Sequence, residues 1–494
     1  MSSFSIEICL AVIGVLLVAF DAFATSLSRK VVPALAIGAV ALLLVLLLGG
    51  HGNPPALPEF AKSFYAVDSL AYFYKVFAMV TTLGVLIIAW ESDSVVAHYS
   101  SSQGIHTRIG EFYALPLIVC AGMMWMASAK DLVSVFVPLE LVTVSFYVLV
   151  AYTRRSGNAL EAGVKYLILG ALSTGILVYG IAWVYGVTGS MTFEGIAAAV
   201  KNPHINSTAL LFGTALLLAG LGFKVGAAPF HIWIPDVYQG APTPVTAFLS
   251  VGSKAAGFVV LTRTVTAFLT EGSVIGPQVR TALLVAAGLT IAIGSLAAIT
   301  QTNLKRLFAY SSISHAGFLV LALACGSSQR LGISSGGIVA LYLATYLPMT
   351  LLGFLLLAVL RSQGVGEELK DLTGLSKRSP GLAFALTAAM ASLAGLPLTA
   401  GFFGKMLVFV AAVDQGYYAA VVVAVIGAAA GFYYYFRPIL AVYSTGENDG
   451  AKLTWSPVAK GTASLLIACI VILGVYPRLL QFVLNPVPVA VAGK

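Results

Sequence analysis

The stretch LGFKVGAAPFHIWIPDVYQGAPTPVTAFLSVGSKAAGF, residues 221–258, decides the fold of this chain. Two lysines, Lys224 and Lys254, lie in apolar surroundings. Between them Gly226, Pro229, Pro235, Gly240, Pro242 and Pro244 prevent one continuous helix. In hydrocarbon, freed backbone groups and buried ammonium charges are tolerated only where they face protein or water. A broken helix beside lysines therefore marks a functional site by default, and the rest of the chain reads as its frame.

The frame is a membrane. Of 494 residues 59% are hydrophobic and only 9% charged, and apolar runs recur along the whole length. The expected fold is an all-α polytopic membrane protein, a single membrane domain over 1–494, with about 14 transmembrane helices. A β-barrel would need short segments of alternating polarity, which long runs of Leu, Val and Ala do not supply. The net charge of +8 comes from dispersed residues, so it signals topology rather than nucleic acid. Cys9, Cys120, Cys325 and Cys469 stand far apart in apolar segments, as small hydrophobes do. No Cys, His and carboxylate cluster has metal-ligand spacing, and no GxGxxG follows a strand. Redox chemistry is therefore not expected in this chain.

The expected spans run at about 6–20, 31–48, 69–90, 112–129, 131–152 and 162–185. A seventh starts near 208 and breaks at 226–229, and an eighth covers 244–269. Others follow at 279–299, 306–325 and 333–360. A twelfth starts at 381, is interrupted at Gly395, Pro397 and Gly401, and resumes over 402–413. The last two lie at 417–443 and 457–476. The first run carries Glu7 and no Lys or Arg ahead of it, so it is read as a retained span, not a cleaved leader. Counting Lys and Arg in the connections gives twelve on the side of Arg154 and Arg155 against seven on the other, which puts both termini outside. The charged connection 361–378 then faces the cytoplasm as a solvated loop.

Two five-span blocks, 112–269 and 278–443, follow an N-terminal three-helix segment, 1–111, and precede a C-terminal helix, 457–494. Each block has its break in its fourth span, beside Lys224 or Lys405. An odd number of spans inverts the second block. Paired interrupted helices in inverted repeats point to an ion pathway.

Of the nineteen carboxylates, Glu140 lies near the middle of a long apolar span, where it must be protonated, hydrated or paired with a cation. Its natural partner is a lysine, and a Lys with a movable Glu partner can change protonation near neutral pH. Lys224, Lys254 and Lys405 are the proton-carrying candidates; a purely structural ion pair is the plainer reading. Lys165, slightly inside its span, is a secondary candidate that can equally snorkel. So are His231, past the first break, and His315, mid-span, either of which can hold a proton or simply satisfy hydrogen bonds. Lys75 and Lys460, near span ends, are expected to snorkel, and Arg263 and Arg437 to anchor.

The strings FKVGAAPFHIWIPDVYQGAPTPVTAFLSVGSKAAGF (223–258), KRLFAYSSISHAGF (305–318) and LAGLPLTAGFFGK (393–405) resemble the N-subunit family of proton-translocating NADH-quinone oxidoreductase, respiratory complex I. The resemblance covers nearly the whole chain. It implies a proton relay at mid-membrane in which Glu140, Lys224, Lys254 and Lys405 are the members and Lys165 modulates Lys224. It also implies that NADH, FMN, iron–sulfur clusters and quinone act in partner subunits, with no cofactor here. The partners would be the other membrane subunits, the lipid bilayer and protons, in a bacterial inner membrane. A cation/proton antiporter without redox partners, a passive membrane scaffold and the membrane arm of a hydrogenase or ferredoxin-driven relative are the alternatives. Within the family DVYQGAPTPV and Lys254 resemble subunit N, since the L and M relatives and the multisubunit antiporters usually show a histidine-containing pattern there.

Overall fold

The computed structural model of the protein describes residues 3–23, 28–50, 57–101, 108–445 and 452–477. Its helices are α1 (Ser3–Phe23), α2 (Val31–Gly49), α3 (Ser69–Glu91), α4 (Asp93–Ser100), α5 (Gly110–Ala127), α6 (Leu132–Val150) and α7 (Gly157–Thr188). There follow α8 (Phe193–Ala199), α9 (Ser207–Val225), α10 (Ile234–Gly240), α11 (Thr243–Phe248), α12 (Lys254–Phe268) and α13 (Gly276–Ile299). The rest are α14 (Leu304–Cys325), α15 (Ser335–Ser362), α16 (Leu375–Arg378), α17 (Pro380–Ala394), α18 (Ala400–Asp414), α19 (Tyr418–Tyr443) and α20 (Pro457–Val475). Among the described residues, thirteen helical runs are long and apolar enough to cross a bilayer. The twelfth span is interrupted as expected, into two 15-residue helices, α17 and α18, each shorter than those thirteen. The span boundaries read from hydropathy are met within a few residues.

The runs α11–α12, α14 and α15 are almost wholly buried and form the centre, whereas α1, α19 and α20 leave most of their surface open. Without a hydrophobic drive between helices in lipid, close packing rests on small residues. Gly180 on α7 meets Leu217 of α9 and Gly294 on α13 meets Ser314 of α14, each so closely that an added Cβ would strike backbone atoms at 2.5 and 2.4 Å.

The heads of α6 and α14 share a detail. At the head of α6, the N–H of Leu132 donates to Met191 (3.0 Å) and that of Phe193 to Lys130 (3.1 Å). At the head of α14, Leu304 donates to Glu367 and Leu369 to Thr302, both 2.8 Å. The start of α6 is thus tied to the connection after α7, and the start of α14 to the connection after α15. The segment after α15 is accordingly not a plain solvated loop. It holds a 3₁₀ turn, Leu369–Leu372, and buries Leu372 and Leu375.

Lys75 corrects an expectation. Rather than snorkelling, it is 2% exposed and lies 3.1 Å from Glu7, itself fully buried. The Tyr65 hydroxyl donates to Glu7 at 2.8 Å and accepts from Lys75. A lone lysine near a span end normally reaches for water, but a carboxylate on the neighbouring span offers a partner inside. Arg263 does anchor, bonding Asp68 (2.9 Å) and the Ala127 carbonyl.

Candidate functional site

The first break follows from Gly226, whose φ of +78° ends α9 in the left-handed region that glycine tolerates. The chain then crosses without helix to α10. The freed groups are satisfied by polar partners: the Ala228 N–H donates to Thr290 of α13 (2.9 Å), and the Trp233 indole to the Phe223 carbonyl (3.0 Å). That is what an interrupted helix needs at bilayer depth.

Lys224, in the last turn of α9, donates to Thr143 Oγ1 on α6 at 2.8 Å, and its ammonium lies 3.9 Å from Glu140. Cations favour this end of a helix. Glu140 also accepts from Thr174 of α7 at 2.8 Å. Its side chain is 27% exposed against 9% for Lys224, so the carboxylate edges onto the surface of the chain while the lysine stays inside. The structure therefore brings the expected pair together, at the loose limit of an ion pair, with Thr143 as the closer partner.

Lys254 lies on the far side of a feature the sequence reading missed. Residues Leu249–Ser253 form a π-helical turn between α11 and α12, a widening found often at functional sites. Lys254 is buried and donates to both the carbonyl and the hydroxyl of Ser312 on α14. Gly257, one turn on from Lys254, packs against the end of α9: an added Cβ there would lie 3.6 Å from the Lys224 carbonyl. Among the described residues, no direct side-chain bond joins the two lysines.

From Ser312 the line continues along one face of α14, since residues three apart are neighbours on a helix. His315 Nδ1 contacts the Tyr342 hydroxyl (2.6 Å) and Nε2 that of Tyr435 (3.2 Å). Tyr435 also bonds Ser311, and Tyr346 bonds Ser250 at 3.0 Å. One turn further, the Lys405 ammonium sits 5.9 Å over the Phe318 ring. Lys405 follows its break, unlike Lys224, and reaches back to the carbonyls of Leu393 (3.1 Å) and Ala394 (2.8 Å) at the open end of α17. At that break Leu398 has a φ of +69°, the one positive value for a non-glycine among the described residues.

The secondary candidates divide. His315 belongs to the buried line. Lys165 does not: it is 42% exposed and bonded to Glu161 and Asp236, 2.7 Å each, and Asp236 also accepts from Arg306 at 2.8 Å. His231 lies in the first break, and its buried Nδ1 has no hydrogen-bond partner among the described residues. The hydroxyls of Thr143, Thr174, Ser312 and the tyrosines escaped sequence reading because Ser, Thr and Tyr are ordinary in apolar spans. Among the described residues, no group of three or more His, Cys, Asp and Glu side chains could hold a metal ion.

Buried ammonium groups, an imidazole and hydroxyls, with a carboxylate at their edge, can take up, hold and pass protons. Residues 129–431 match the family model described as NADH:quinone oxidoreductase/Mrp antiporter, TM. The chain is 35% identical to NADH-quinone oxidoreductase subunit N of Desulforamulus reducens, over 97% of this chain and 96% of that protein. It superposes on a chain of respiratory complex I from Thermus thermophilus with bound aureothin, with a TM-score of 0.78 and 33% identity over 96% and 98% of the two chains. A chain of the Mrp complex from Dietzia sp. DQ12-45-1b, 21% identical over 97% of this chain and 96% of that one, gives a TM-score of 0.81, a likeness of fold alone. By sequence and by fold, the chain belongs to the NADH-quinone oxidoreductase subunit N family.

Proposed function

We propose that this chain is a proton-translocating membrane subunit of an NADH-quinone oxidoreductase, and that Glu140, Lys224, Lys254 and Lys405 form its relay. The observation that carries the reading is the placement of three buried lysines around α12 and α14. Their partners are neutral hydroxyls and carbonyls, or a carboxylate only as near as 3.9 Å. Ion pairs built for stability are closed and charge-matched; sites that must gain and lose a proton are not.

In this reading NADH, FMN, iron–sulfur clusters and quinone act in partner subunits, and the chain itself contributes to a translocase with no redox centre of its own. Quinone chemistry there alters the Glu140 to Lys224 pairing, and the changed field is passed to Lys254 and then Lys405. His315 and its tyrosines lie between the last two. Lys165 acts from the edge, through Asp236. The matching backbone pairs at the heads of α6 and α14 support two inverted blocks, 112–269 and 278–443, between the N-terminal segment 1–111 and the C-terminal helix 457–494. The Lys and Arg distribution supports both termini on the periplasmic face of a bacterial inner membrane.

The test is NADH-driven proton pumping in membranes whose assembled complex carries Lys254→Ala. The reading predicts that pumping falls with assembly intact. A free-standing antiporter would instead move sodium or potassium against protons with no NADH oxidation.

A further inference from the structure

Between the sites of Lys224 and Lys254 stands α10. At its head the Trp233 indole donates to the carbonyl of Phe223, the residue before Lys224, at 3.0 Å, and the two rings stack with centroids 5.3 Å apart. Near its end the Tyr238 hydroxyl lies 3.4 Å from that of Ser312, the same hydroxyl that accepts from Lys254. Both aromatic side chains are buried. One seven-residue helix therefore reaches the neighbour of Lys224 and the partner of Lys254. Asp236, two residues from Tyr238 and so on another face, accepts from Lys165 of α7 at 2.7 Å and from Arg306 of α14 at 2.8 Å.

The chain itself holds α10 loosely. The break that begins at Gly226 parts it from α9, and the extended residues Ala241 and Pro242 part it from α11. Seven residues form too few internal hydrogen bonds to keep a helix in place unaided. Its seat is made by neighbours: a Cβ on Gly240 would strike the Asn158 carbonyl oxygen of α7, and one on Gly226 the side chain of Ile234. Within that seat the side-chain bonds of Trp233, Asp236, Tyr238 and Gln239 tie it to α9, α7 and α14.

We propose that α10 couples the two lysine sites, with Trp233, Tyr238 and Asp236 as its positioning residues. The inference rests on the relay reading of Lys224 and Lys254. As an ammonium, Lys254 only donates, and the Ser312 hydroxyl accepts from it and offers its own hydrogen to Tyr238. As an amine, Lys254 has a lone pair, so Ser312 turns its hydrogen to Nζ and accepts from Tyr238 instead. The protonation of Lys254 thus reverses the bond at one end of α10. At the other end Trp233 holds the last turn of α9, from which Lys224 reaches Thr143 at 2.8 Å. Asp236 anchors the helix between them, and through it Lys165 acts on Lys224. None of the three positioning residues carries the transferred proton.

The test follows NADH-driven proton pumping and quinone reduction in assembled complexes. Trp233→Phe keeps a ring and loses the indole N–H, and Tyr238→Phe loses only the hydroxyl. Each should slow both activities about threefold or more, the worth of one hydrogen bond. Asp236→Asn should do the same, with partial rescue by Asp236→Glu. Thr143→Val and Tyr238→Phe alter different lysine sites, so their joint effect reads the coupling. Together they should cost clearly less than the product of their separate losses, whereas in a Trp233→Phe background the losses should simply multiply. Lys254→Ala is run alongside. If it loses pumping while both phenylalanine variants pump as wild type, α10 is a spacer and the proposal falls while the relay stands. Paired losses that multiply in the wild-type background, or that stay coupled in the Trp233→Phe background, overturn it equally. If Lys254→Ala pumps normally, the relay reading itself fails. Should an Asp236 variant not assemble, the two phenylalanine variants decide.

Discussion

Lys405 caps the helix that precedes its own: from the first turns of α18 its ammonium donates 2.8 Å back to the carbonyl of Ala394, the last residue of α17. One side chain therefore closes the broken span and supplies a buried charge. The two roles separate in different substitutions. Lys405→Arg keeps a cation but one that does not deprotonate. Pumping should be lost with the thermal midpoint of the purified complex nearly unchanged. Lys405→Ala should lose pumping and also strand the Leu393 and Ala394 carbonyls, at about 1–3 kcal/mol for each buried acceptor. Equal pumping in Lys405→Arg and wild type would make Lys405 a cap only.

Thr143 and Glu140 act on the same ammonium, so their substitutions should not add. Thr143→Val removes the acceptor 2.8 Å from Lys224, and Glu140→Gln the charge 3.9 Å away. A double-mutant cycle on pumping rate should show a coupling of about 0.5–3 kcal/mol, the range for residues sharing a partner. Strict additivity would mean that the two residues serve different steps.

The Glu7 to Lys75 pair is fully enclosed, so its loss should be felt in stability first. Glu7→Ala removes the carboxylate 3.1 Å from the Lys75 ammonium. Breaking such a pair costs about 3–5 kcal/mol, whereas an apolar replacement of both partners can be neutral. Thermal unfolding of the isolated subunit in detergent should show Glu7→Ala well below wild type and Glu7→Leu with Lys75→Met close to it.

Lys165 should matter least among the candidates. Its bonds to Glu161 and Asp236 are made at an exposed position, where solvent screens an ion pair and leaves it little to contribute. Lys165→Ala should slow pumping without abolishing it, and a loss as deep as that of Lys254→Ala would place Lys165 in the relay.

Much of this was legible in the chain. Length and apolarity mark the spans, and Gly226 and Gly395 mark the breaks because glycine alone takes their left-handed backbone at no cost. The four principal charged residues stand out because charge is so scarce here. What escaped was pairing at a distance. Lys75 reads as a snorkelling residue until α1 and α3 are packed and Glu7 comes within reach. The π turn before Lys254 is a matter of hydrogen-bond register, which composition does not encode. The charged connection after α15 reads as solvent-facing, yet its backbone pairs with the head of α14 and carries Glu367 to Lys305. The tyrosines around His315 look like ordinary membrane aromatics until three helices converge on them.

The most direct test of the central claim is NADH-driven proton pumping by Lys224→Ala complexes, with assembly verified and electron transfer to quinone followed in the same sample. The account predicts that both pumping and electron transfer fall in a fully assembled complex. Normal values for both would contradict it, because a chain of charges centred on Lys224 does not work with that charge removed.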